Sequence, residues 1–154
     1  MSPPALRDWF VADHLRLESL LEQALREAES NEHGLSHVLW SAFTEKLVSH
    51  IEAEERFLIP QLDESAARLA RALHEEHRYL RSRSLGLTEA VQSGSVRPDE
   101  IHAFADELRA HASHEDRMLY AWTDQHLRPD ERRNLLHQLE EAGRLMELEC
   151  SSRR

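Results

Sequence analysis

The chain has 154 residues, 31% of them charged and 40% hydrophobic, enough for one domain with a core of ordinary size. A net charge of −10 with histidine neutral argues against a nucleic-acid-binding face, and no run of 18 apolar residues is available to span a bilayer. The single cysteine, Cys150, excludes a disulfide framework; with an N-terminus, MSPPALRDWF, that lacks an apolar leader, it sets the expectation of a cytoplasmic protein.

Taken in chain order, the 3.6-residue period marks four long helices. The first runs over about residues 4–29 with the stripe Leu6, Phe10, His14, Leu17, Leu21, Ala24 and Ala28, and SPP at 2–4 reads as its cap. The second, about 35–59, carries Leu39, Phe43, Leu47, His50, Glu54 and Phe57. The third, about 64–92, carries Ala66, Ala70, Leu73, His77, Leu80, Ser84, Leu87 and Val91. The fourth, about 98–126, carries Ile101, Phe104, Leu108, His111, Glu115, Met118 and Trp122. The motif RPDE opens a helical pattern at 97–100 and again at 128–131, where a shorter fifth helix follows with Leu135, Leu139, Ala142 and Leu145 as its packing face. No alternating strand pattern occurs. Short links between long amphipathic helices predict an all-α fold, an antiparallel up-down four-helix bundle over residues 1–127, with the short extra helix and tail over 128–154.

Eleven histidines are the anomaly, and position decides what they mean. Each half of the chain repeats one pattern: a helix with an inward histidine, then a helix with an inward His-x-x-x-Glu. His14 is followed by His50 and Glu54, and His77 by His111 and Glu115. His-x-x-x-Glu spacing also occurs at His14/Glu18 and His137/Glu141, so spacing alone is weak. Residues i and i+4 lie about 40° apart on a helix, and only His50/Glu54 and His111/Glu115 have both members in the apolar stripe. Glu18 and the His137/Glu141 pair fall off it and read as solvated.

Four histidines and two glutamates left unsatisfied in a core would cost on the order of 10 kcal/mol, about the whole stability of a domain. Two buried His-Glu pairs would satisfy the carboxylates but only two of the histidines. Metal satisfies all six: imidazole suits iron, zinc, copper and nickel, and a carboxylate can bridge two ions. The Glu-x-x-His of ferritin-like sites is absent, and HEEH at 74–77 is not the HExxH of zinc proteases.

His14, His50-x-x-x-Glu54, His77 and His111-x-x-x-Glu115 in that order, with the flanks EERFLIP and EDRMLYAW, resemble the hemerythrin-like HHE cation-binding family over residues 1 to about 127. The resemblance implies a four-helix bundle around two iron ions, a non-heme di-iron centre with an oxo or hydroxo bridge, held by His14, His50, Glu54, His77, His111 and Glu115. Oxygen-carrying members have a further histidine where this chain has Leu73. The adjacent His74 is a candidate fifth nitrogen ligand, with a rim histidine as the alternative; Asp116 stands where those carriers end their second motif. His33, His37, His102, His114 and His126 read as solvated. Trp40, Trp122, Tyr79 and Tyr120 read as packing residues, with Tyr120 turned away from the site by its five-residue offset from Glu115.

The expected function is a binding or sensing module for O2, nitric oxide or peroxide, working with a protein partner the sequence does not identify. An enzyme that removes peroxide or nitric oxide is the alternative, and iron handling a third; the absence of an obvious general acid or base outside the ligand set leans away from the enzyme. No nucleic acid or membrane partner is expected.

Overall fold

The computed structural model describes residues 5–30 and 36–153, and among these every regular element is helical. The elements are α1 (Leu6–Ser30), α2 (His37–Ala53), α3 (Ala67–Gln92), α4 (Pro98–Glu115), α5 (Ala121–His126) and α6 (Pro129–Ser152). The SPP cap and His33 lie outside the described residues.

Local chemistry sets the ends. Ser36 caps α2, its hydroxyl accepting the Leu39 N–H at 3.2 Å. Both RPDE motifs work alike. Proline takes the first helical position, and the glutamate two residues on accepts a backbone N–H, from Arg97 to Glu100 at 2.9 Å and from Arg128 to Glu131 at 2.7 Å.

The long second and fourth helices of the sequence reading are not uniform. α2 gives way to a π turn, Glu54–Leu58, and then to a 3-10 turn, Ile59–Gln61; α4 gives way to a π turn, Asp116–Tyr120, before α5 resumes. Each π turn lies directly behind a His-x-x-x-Glu. A further 3-10 turn, Glu64–Ala66, leads into α3. α6 is 24 residues long, not short: no proline interrupts it, and its Gly143 meets no crowding. Only its first half packs. Leu135, Leu136 and Leu139 are buried, whereas Leu145 is 62% exposed and leaves the packing face expected of it.

α1 packs on α2 and α4, and α3 packs on the same two helices, while α6 lies against α1. The core divides into two apolar clusters. One gathers Leu17, Leu21, Trp40, Phe43, Leu47, Leu80, Leu87, Ile101, Phe104 and Leu108. The other gathers Leu6, Phe10, Leu58, Leu73, Leu119, Tyr120 and the leucines of α6. Along α1 and α3 the second cluster comes before the inward histidine, at Leu6, Phe10 and Leu73; along α2 and α4 the first cluster comes before it. The polar residues therefore form a layer between two apolar ones. No helix is long and apolar enough to cross a membrane among the described residues.

Candidate metal centre

The layer holds His14 from α1, His50 from α2, Glu54 at the start of the first π turn, His77 from α3, and His111 and Glu115 from α4. Glu54, Glu115 and His77 are 0% exposed. They form two overlapping sets: His14, His50, Glu54 and Glu115, and Glu54, His77, His111 and Glu115, with the donor atoms of each set within 4.8 Å of one another. Glu115 divides its oxygens between the sets. Its Oε2 lies 3.0 Å from His14 Nε2, and its Oε1 lies 3.1 Å from His77 Nε2 and 2.7 Å from His111 Nε2. Glu54 Oε2 stands 3.6 Å from His50 Nε2 and 3.3 Å from His77 Nε2.

Carboxylates behind the rings fix their orientation. His50 donates from Nδ1 to Asp13 at 3.3 Å, His77 to Glu55 at 3.1 Å and His111 to Glu76 at 2.6 Å. In a neutral ring this leaves the Nε2 lone pair facing inward, as metal ligation requires. Each carboxylate is itself held. Asp13 takes Lys46 at 2.6 Å; Glu55 takes both nitrogens of Arg81, at 3.0 and 2.9 Å; Glu76 also takes His114 at 2.7 Å. Burial works to raise Asp13, but the hydrogen bonds from His50 and Lys46 win and hold it below the usual carboxylate range.

These partners were missed in the sequence, because each points about 100° away from the stripe, toward the neighbouring helix. A signal was present: an acid stands immediately before His14 and His77 and immediately after Glu54 and Glu115. Three of these four, Asp13, Glu76 and Glu55, hold a ring. The fourth, Asp116, pairs with Arg7 at 2.6 Å instead.

Tyr120 requires a correction. It is 0% exposed, and its hydroxyl donates to Glu54 Oε1 at 2.5 Å, with His14 Nε2 at 3.3 Å and Glu115 Oε2 at 3.5 Å. At α pitch a five-residue offset turns a side chain away; a π turn brings residues five apart into line. Burial, then the Glu54 and Glu115 charges, push the phenol well above its usual range, so it stays a neutral donor.

Other candidates fall outside both sets. The His74 side chain is 50% exposed, with Nδ1 3.6 Å from Glu55, and Leu73 beside it is buried in the apolar cluster. Glu18 pairs with Arg109, and His137 with Glu141, at the surface. His114 is not freely solvated as expected but leans on Glu76.

The donors fit a cation. His50 Nε2, Glu54 Oε2 and His111 Nε2 are buried without a hydrogen-bond partner, and the short His111–Glu115 approach is out of line for a hydrogen bond. These are lone pairs converging on common points. Without a metal, protons must serve. Burial pushes the His77 ring down, but Glu115 and Glu54 overcome it and raise it to about 10. Burial and the Glu115 charge push Glu54 up, whereas His111, His14 and His77 keep Glu115 ionised despite its burial.

Fold and site together define a helical protein with a buried cation-binding layer built from histidine and glutamate. Residues 5–123 match the family model described as hemerythrin HHE cation binding domain, and the chain belongs to that family. No curated protein and no solved structure matches it.

Proposed function

We propose that the chain is a non-heme di-iron protein that binds or senses O2, nitric oxide or peroxide, with His14, His50, Glu54, His77, His111 and Glu115 as the metal ligands. One observation carries this reading: each of the two donor sets holds two histidines, and both share Glu54 and Glu115. Two shared carboxylates between two pairs of imidazoles suit two ions better than one. Nitrogen and carboxylate donors without thiolate match iron's ligand preference. When bound, iron supplies a redox-active Lewis acid that takes such small ligands.

The protein's part is to hold and shield. Asp13, Glu55 and Glu76 aim the rings, the two apolar clusters keep bulk water from the layer, and Tyr120 offers a proton at Glu54 Oε1. The alternating order of the clusters along α1 to α4 supports an antiparallel up-down arrangement, which brings one polar layer from each helix to the same height.

Metal analysis of protein reconstituted anaerobically with iron tests the reading. Two irons per chain, and near-ultraviolet charge-transfer absorption after exposure to air, are expected. One ion per chain, or preference for zinc in competition, would sink it.

A further inference from the structure

The two halves of the centre repeat in sequence but are not equivalent in structure. The residue five positions after Glu115 is Tyr120; five after Glu54 it is Ile59, which is apolar. His14 is 13% exposed at its side chain, and His77, its counterpart, is 0% exposed. His14 is also the ring for which no Nδ1 carboxylate partner is found among the described residues. Against its outer face lies a cavity of about 40 Å³ between α1 and α4, walled by Leu17, Leu21, Ala105, Leu108 and Ala112, with His14 as its inner wall. At its rim Glu18 and Arg109 pair at 2.7 Å.

We propose that an uncharged, weakly hydrated molecule of diatomic size reaches the centre through the α1–α4 cavity and is received on the His14 side by the hydroxyl of Tyr120. Only the destination rests on the di-iron reading; the route is a property of the protein. The cavity exceeds the roughly 10–15 Å³ that one water needs, yet between His14 and the Glu18–Arg109 pair its walls are apolar and offer water few partners. An anion entering it would lose its hydration without compensation. The groove over His111 on the other side is lined by Glu76, Tyr79, Leu80, Glu107, Ala110 and His114, and Glu76 closes on His111 Nδ1 at 2.6 Å and takes His114 at 2.7 Å. On that side the Glu76 carboxylate latches the ring, whereas no such carboxylate covers His14 among the described residues.

Tyr120 does not line the cavity but lies across the His14 ring from it in the proposed route, its oxygen 3.3 Å from His14 Nε2. Its one proton goes to Glu54 Oε1, and a rotation of the hydroxyl hydrogen redirects it to an arriving acceptor. Ile59 gives the other half no such donor.

Xenon titration followed by 129Xe NMR tests the route without reference to metal, and stopped-flow binding of nitric oxide to iron-loaded, reduced protein tests the destination. Saturable xenon binding is expected in the native chain and its loss in Ala105→Leu, with nitric oxide association slowed at least ~10-fold at unchanged iron content, since the plug blocks the path but touches no ligand. Tyr120→Phe should leave association unchanged and speed dissociation roughly 3- to 10-fold, the loss of one hydrogen bond. Should Ala105→Leu not fold, Ala112→Phe plugs the half-buried mouth. Absence of xenon binding, or unchanged nitric oxide association in a plugged chain that no longer takes xenon, overturns the route; unchanged dissociation in Tyr120→Phe overturns the role of the hydroxyl. A chain that binds xenon but retains no iron would overturn the destination through the metal reading and leave the route standing.

Discussion

Glu54 and Glu115 occupy matching places in the two halves but are held differently. Glu115 faces three histidine Nε2 atoms with its two oxygens, while Glu54 gives one oxygen to Tyr120 and turns the other toward His50 and His77 without a hydrogen bond. Glu54→Ala and Glu115→Ala should both lose metal, because each removes a carboxylate common to both sets. Glu18→Ala and Glu141→Ala should keep it, because each removes an exposed partner. Equal loss from all four in metal analysis would mean that the apolar stripe selected the wrong pairs. The ring supports are expected to act by degree: Asp13→Asn, which keeps the shape but weakens the bond to His50, should lower metal affinity by about 10- to 100-fold, read by chelator competition. An affinity equal to that of the native chain would show that Lys46 and Arg16, which also pairs with Asp13 at 3.3 Å, are what Asp13 serves, not His50.

At the scale of elements, the six proposed donors were legible because they interrupt stripes that otherwise read as core. The helical class was legible for the same reason, with the RPDE motifs marking two helix starts. The π turns were not. A π turn absorbs one residue, so Tyr120 stays in the core although a uniform α period would rotate it out, while Met118, expected on the stripe, is 48% exposed and Leu119 is buried in its place. Tyr120 was misplaced for that reason alone. The extent of α6 was misjudged because its second half continues as helix without a buried face, which periodicity cannot report. The π turn gives a direct test. Removing the exposed Met118 should let Asp116–Tyr120 relax to α pitch, with the tyrosine now four residues after Glu115 and still inward. That variant should keep its metal. Removing Ala110 from α4 instead, where no extra residue is stored, should rotate His111 and Glu115 by about 100° relative to the residues before them and abolish metal binding. Metal loss in both deletions would show that the π turn stores no slack.

In the whole molecule, a polar layer separates two apolar clusters, so the charge state of that layer should govern stability. Metal that binds only the folded chain raises the melting temperature, and chelation should lower it. The pH dependence of the metal-free protein follows from His77. Its folded-state value of about 10 lies above the ordinary 6.5, so its protonation stabilises the fold fully below pH 6.5, and that contribution is lost as pH rises through 10. His50 and His111 are also raised, burial opposing in both; Glu54 and Asp13 overcome it for His50, and Glu115 and Glu76 for His111, so their contributions have the same sign. Physically, the proton on His77 screens Glu54 from Glu115, 3.3 and 3.1 Å from its Nε2, and those on His50 and His111 each offset one of the two carboxylates. The metal-free chain should therefore melt at progressively lower temperature from pH 6.5 to 10. A bound cation takes over the screening and needs the rings deprotonated, so the loaded chain should hold its melting temperature across that window, and loading should release protons into weakly buffered solution. Melting curves of both forms at pH 6.5, 8 and 9.5 separate these behaviours: if the two forms run parallel, the layer is not what couples protons and cation to the fold.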